Sequence, residues 1–276
     1  MTTWSGRIGI ALLGAICATA IFADLVAPGD PFATSDAVLQ PPSHSHIFGS
    51  DDLGRDLFRA IVHGTRVSVV VAVATAAAGL VLGVLIGGAA GYAGGLADDG
   101  LMRVTEIVQV MPRFFVVLAA AAALGSSIGY LILILALTSW SAIARMVRSQ
   151  VLSIRTVDHV TAARAAGASW ARILRRHILP LTLPPVIAQT AFQASGAILV
   201  EAGVGFLGFG DPAVMTWGAL LHEGQHFLRV AWWMAAFPGA ALTITVLSIH
   251  LLADVLTDPA AATDAMPLSG RRVPGV

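Results

Sequence analysis

Residues 161–180 read TAARAAGASWARILRRHILP, a polar segment with four arginines set between two long apolar runs. The run before it, 114–144, has 31 residues and no charge; the run after it, 181–200, has none either. A buried core helix has no need of such a segment, and neither has a simple membrane anchor. The pattern implies that something outside the membrane grips this stretch.

Composition supports that frame. The 276 residues are 57% hydrophobic and 12% charged, with a mean hydropathy of +0.81. Soluble domains are about a quarter charged, so the chain is read as an all-α polytopic membrane protein. Net charge is zero and all sixteen basic residues are arginine, which gives no argument for a nucleic-acid partner. Cys17 is the only cysteine, so an intramolecular disulfide and a thiol metal cluster are both excluded. Arg7, an apolar stretch and Ala18-Thr19-Ala20 resemble a secretory signal. The small-residue triplet lies inside the apolar stretch rather than after it, so the segment is read as a retained, tilted span.

About 20 apolar residues cross the hydrocarbon as a helix. On that rule six transmembrane helices are expected, at 8–27, 67–92, 104–124, 128–147, 184–207 and 230–253, with a loop at 155–180. Gly125-Ser126-Ser127 divides the charge-free run into a hairpin. Arginine placement orients the bundle. With the N-terminus inside, eleven arginines (7, 103, 145, 148, 155, 164, 172, 175, 176, 271 and 272) fall on inner segments and four (55, 59, 66 and 229) on outer ones. Both termini and 161–180 are then cytoplasmic. Trp217, Trp232 and Trp233 are expected at the outer interface and Trp4 near the inner one. Residues 259–276 read as a disordered cytoplasmic tail.

From Thr161 to Gly167 the residues are mostly small. Ala162, Ala163, Ala165, Ala166 and Gly167 leave one side nearly bare, so that another surface can approach closely, and Arg164 supplies charge. Pro180, reinforced by Pro184-Pro185, sets a corner before the next span. Two readings remain open: a docking helix for a partner protein, or a helix lying on anionic lipid.

The residues Ala162, Ala163, Gly167, Leu179 and Pro180 stand in a pattern that resembles the EAA loop of ABC-transporter permeases. Phe48-Gly49-Ser50-Asp51-Asp52-Leu53-Gly54-Arg55-Asp56 and the stretch 201–210, EAGVGFLGFG, resemble further motifs of the dipeptide, oligopeptide and nickel importers, as do Trp217-Gly218 and Phe237-Pro238-Gly239. The matches run in order from about 46 to 258, and fit the shorter of that family's two permease subunits.

The resemblance implies a type I importer transmembrane domain whose Thr161, Ala162, Ala163, Arg164, Gly167, Leu179 and Pro180 form a cytoplasmic coupling helix docked on an ATPase. The family's glutamate is Thr161 here. The implied partners are a homologous permease, two cytoplasmic ATPases and an extracytoplasmic binding protein in a bacterial inner membrane. The chain has no G-x(4)-G-K-[ST] motif, so it has no ATPase of its own. It is expected to be non-catalytic and to bind no cofactor, with ATP and Mg on the partner ATPases. The cargo is read as di- or oligopeptide, with nickel or a metal chelate as the alternative.

Asp51, Asp52, Arg55, Asp56 and Arg59 recur at helical spacing, which predicts a short ion-paired surface helix; a contact with the binding protein is the functional alternative. Glu201, near the outer end of its span, is read as a structural pairing or cap. Glu106 and Arg113 are placed in the inner interfacial region. Residues 222–226, HEGQH, match H-E-x-x-H, in which His222 and His226 would hold zinc and Glu223 act as base, so a membrane metalloprotease is the rival from another class. Gly224 weakens the helix this needs, and no third ligand lies nearby. His44, His46, His63, His222 and His226 all fall outside, as solvated loop residues or as a loose metal cluster.

Overall fold

The computed structural model describes residues 4–257; the tail expected at 259–276 lies outside them. The described residues are helical throughout their apolar parts, as backbone groups in lipid require, with one isolated bridge between Ser50 and Asp56. In chain order the helices are α1 (Trp4–Ile21), α2 (Ala23–Val26), α3 (Leu57–Ala93), α4 (Gly95–Val110), α5 (Arg113–Leu124), α6 (Ile128–Ile154), α7 (Asp158–Ala165), α8 (Trp170–Ile173), α9 (Leu179–Val204), α10 (Trp217–Gly224) and α11 (Trp233–Thr257).

Four of the expected spans are long, apolar helices: Leu57–Ala93, Ile128–Ile154, Pro180–Phe209 and Trp233–Leu256. The first is shorter, an apolar helix of 16 residues, Gly6–Ile21, followed by the single turn of α2. The third departs from expectation. Instead of one helix over 104–124, the chain forms α4 and α5, bent by 74° at their junction. Pro112 is the cause, because proline disfavours the α region for the residue before it. Met111 is extended (φ −69°, ψ 120°), and so is Pro112 itself (φ −64°, ψ 106°).

The second span also differs. Its helix begins at Leu57 rather than 67 and runs for 37 residues, about 55 Å at ~1.5 Å per residue. That exceeds a hydrocarbon core of about 30 Å, so the polar turn bearing Arg59, His63 and Arg66 continues the helix past the apolar layer. Its start is set by Asp56, whose carboxylate accepts from Arg59 N at 3.0 Å.

Packing against α6 is close because α3 carries Gly79, Gly83, Gly87 and Gly91 on one face. A β-carbon at Gly83 would lie 2.6 Å from Ile143, and one at Gly91 2.8 Å from Val151. Small residues at this spacing let two helix backbones approach where no hydrophobic effect drives them together.

Two further clusters close the ends. On one side Leu57, Ile61, Trp217, Trp233 and Met234 are buried together. Trp217 and Trp233 are core residues rather than interfacial ones: their ring N–H groups donate to Ile61 O and Ser50 O, both at 3.1 Å. Trp232 and Trp4 are exposed, as an interfacial position allows. On the opposite side Ile143, Val147 and Val151 of α6 meet Val160, Ile173, Ile178 and Val186.

Candidate functional site

The segment 155–180 folds as two short helices around a glycine. Val157, extended at φ −73° and ψ 146°, starts α7. The helix stops after Ala165, where Gly167 takes a left-handed φ of +80°. Gly167 N then donates to Arg164 O and Ala168 N to Ala163 O, both at 3.0 Å, which satisfies carbonyls the helix end leaves free. Gly167 therefore terminates the helix rather than extending its small-residue face.

Among the described side chains of α7, one is buried. Val160 is fully buried against α6 and the start of α9, while Thr161, Ala162, Arg164, Ala165 and Ala166 are exposed and Ala163 is half-buried. The Thr161 hydroxyl turns back to Asp158 O at 2.8 Å, so it offers no fixed group outward. Arg164 lies 5.4 Å above the ring of Tyr92, near the end of α3, a cation–π distance. Leu179 and Pro180 are the first two residues of α9, entered without a break from α8 through a π-helical turn over Leu174–Ile178. Nearby, Arg148 of α6 holds Asp98 of α4 through two bonds of 2.5 and 2.6 Å.

At the other end of the bundle, 48–56 is not the surface helix that its spacing predicts. The chain turns tightly, and Asp51 (1% exposed) and Arg55 (7%) are buried. The Asp51 carboxylate accepts from Leu53 N at 2.9 Å and Arg55 N at 2.8 Å, forming a turn by side-chain capture of its own backbone. The Arg55 guanidinium donates to both Asp51 and Glu223. Glu223 is the partner that spacing could not reveal, since 168 residues separate it from Arg55. Burial, together with repulsion from Asp51 and Asp52, pushes the Glu223 carboxyl above its ordinary range despite Arg55. Asp56 pairs with His46 at 3.2 Å. The expected contact face is thereby corrected: Asp51 and Arg55 are internal braces, Asp52 is half-buried beside them with one oxygen buried, and Leu53 is the residue the turn exposes.

The same geometry engages residues that the protease rival would need. Helix α10 ends at Gly224, between the two histidines. His222 Nδ1 meets Phe206 O at 2.8 Å, and Glu223 is engaged by Arg55. Among the described residues the carboxylates brought within 4.8 Å of one another are Asp51, Asp52 and Glu223, with no imidazole, and a guanidinium sits among them. Of the outer histidines, His222 and His226 meet edge to face with ring centroids 5.8 Å apart, whereas His63 bonds Ala27 O at 3.0 Å and His46 pairs with Asp56.

Glu201 is 2% exposed on α9. Its carboxylate lies beside Thr216, the residue that caps α10, and its Oε2 is buried without a hydrogen-bond partner. Arg113 is corrected in place. It opens α5 and donates to Gln193 of α9 at 2.8 Å. Gln193 lies thirteen residues past Pro180, about 20 Å along the helix, so Arg113 is deep in the span rather than interfacial.

A helical membrane domain with an exposed, lightly seated helix between two long spans has the build of a transporter subunit moved by another protein. Residues 79–259 match the family described as the inner membrane component of binding-protein-dependent transport systems. The dipeptide transport system permease protein DppC of Escherichia coli K12 is 39% identical over 91% of this chain and 86% of its own length. The protein of the same name from Alkalihalophilus pseudofirmus is 35% identical over 91% of this chain and 83% of its own. A Brucella suis protein provisionally named a peptide transport system permease is 39% identical over 92% of this chain and 86% of its own. The chain belongs to this family of ABC importer permeases, and is a multi-pass inner membrane component that works with partner subunits.

Proposed function

We propose that the chain is one permease half of an ATP-driven importer of di- or oligopeptides. The cargo is supported by the names its relatives carry. The complete transporter would contain a homologous second permease, two cytoplasmic ATPases that hold ATP and Mg, and an extracytoplasmic binding protein. This chain itself binds no cofactor and performs no bond chemistry. Arginine bias orients it with both termini and α7 in the cytoplasm.

The seating of α7 carries the mechanism. Thr161, Ala162, Ala163 and Arg164, closed off by Gly167 and followed by Leu179 and Pro180, form the surface that docks on an ATPase. Force on α7 passes through Val160 into Ile143, Val147 and Val151 of α6 and Ile178 at the foot of α9, and through Arg164 to Tyr92 of α3. Because a packed core is stiff, closure of the ATPases swings these spans together and turns the cavity from inward-open to outward-open. Asp52 and Leu53 face the binding protein, on a turn that Arg55 keeps rigid.

Replacing the exposed Ala162 with Trp tests the docking role without disturbing internal packing. Uptake and binding-protein-stimulated ATP hydrolysis should fall together while the permease still assembles. Wild-type uptake by that variant would refute it. Parallel uptake of labelled dipeptide and labelled nickel decides the cargo, with only the peptide expected to accumulate.

A further inference from the structure

Polar side chains are scarce in the spans, yet several lie together. An open cavity of about 550 Å³ is lined by Gln109 of α4, Arg145, Ser149 and Gln150 of α6 and Gln189 of α9. One helical turn beyond Gln189 stands Gln193, bonded to Arg113. Arg113 and Gln193 do not line the cavity, but the i, i+4 spacing of Gln189 and Gln193 sets the pair next along the same face of α9, which makes a polar track from the inner end of α6 to the middle of α9.

Arg113 has no carboxylate partner among the described residues, although an ionised group at membrane depth is costly unless paired. Gln193 supplies a neutral oxygen, which orients the guanidinium without neutralising it. Room is left for the group: a β-carbon at Gly196 would lie 2.9 Å from Arg113 Nη2. Arg113 is also the first residue of α5, so the positive end of that helix adds to its field. A planar guanidinium matches a carboxylate through two parallel bonds, and glutamine amides offer both donors and acceptors to a peptide backbone.

We propose that this track is the chain's share of the translocation path, and that Arg113, held by Gln193, receives the terminal carboxylate of a peptide in transit. The inference rests on the peptide reading of the cargo. Gln109 and Gln189 accompany the peptide groups, and Arg145 stands where the track opens at the inner face.

The test uses the assembled transporter with its binding protein and ATPases in proteoliposomes, in a Cys17→Ser background. Uptake of a labelled dipeptide by the parent complex is measured first; if none enters, the peptide reading itself fails. Given uptake, Gln189→Cys, or Gln109→Cys should the first not assemble, is reacted with a hydrophilic thiol reagent. A free dipeptide should slow labelling several-fold more than its C-terminal amide, and adding Arg113→Met should abolish that difference, while Arg113→Lys keeps most of it. Arg113→Met should also lower dipeptide uptake about tenfold, the effect of losing one charge-assisted bond, with ATP hydrolysis still stimulated by the binding protein. A thiol unreactive from either side places the cavity against lipid or the second permease and overturns the proposal. Equal protection by acid and amide, or full uptake by Arg113→Met, overturns it as well.

Discussion

The polar segment at 27–56 and the one at 155–178 both join apolar helices, and both carry Asp and Arg, yet they are built in opposite ways. The first is an irregular loop with its bonding groups turned inward. Leu39 N donates to Asp51 O at 2.9 Å, Gln40 N to Ser50 Oγ at 2.9 Å and Trp233 Nε1 to Ser50 O, while Arg55 closes the turn onto Glu223. The second satisfies much of its own backbone as helix and leaves most of its described side chains exposed, with Val160, Ile173, Leu174 and Ile178 buried beneath it. A loop without regular structure must find tertiary partners for its N–H and C=O groups; a short helix need not. The segment at 27–56 is therefore a fixed cap and the one at 155–178 a handle.

Breaking the cap should cost most. Arg55→Met strands the buried Asp51 charge, and losing one member of such a pair costs about 3–5 kcal/mol. The variant should unfold earlier in detergent and be cleaved within 27–56. Loosening the handle should be milder. Val160→Ala removes buried surface worth roughly 2 kcal/mol, so amide exchange should quicken across α7 while α3 and α6 keep their protection, and stimulated ATP hydrolysis should drop. Gly167→Ala forces a side chain to φ +80° at about 1 kcal/mol; it should fray the end of α7 and leave the cap untouched.

The smallest effect should come from Glu223→Gln, under about 1 kcal/mol, because Asp51 also engages that guanidinium, Asp52 lies close by and the amide still accepts from Arg55. Full transport by this variant is the outcome the importer reading requires. The raised carboxyl of Glu223 also sets a pH dependence. Its folded state holds the proton more tightly than the unfolded chain, so its contribution is complete below the ordinary value of 4.5 and fades as pH rises through the folded value. Proteolysis of the cap followed upward from pH 4.5 should show this drift in the parent protein and a flatter profile in Glu223→Gln.

Much of the bundle was legible in the residues because hydropathy and charge report directly on the solvent each segment meets. The charge-free runs located α5, α6 and α9, and arginine bias separated the cap from the handle. Other features were written in the chain but outweighed by the same signal. Met111-Pro112 marks the 74° bend, yet the apolar run reads straight through it. Asp56 is a good helix cap, yet Arg59 and Arg66 read as loop because they lie outside the apolar layer.

By itself the sequence determined that this is a helical membrane protein and which segments are apolar, since these follow from composition along the chain. Tertiary structure alone decided that Arg55 reaches Glu223, that Trp217 and Trp233 are buried, and that Arg113 meets Gln193 near mid-span. Those pairs lie 80 or more residues apart. Periodicity constrains neighbours within a few turns of one helix; which distant side chains meet is settled only when the helices pack.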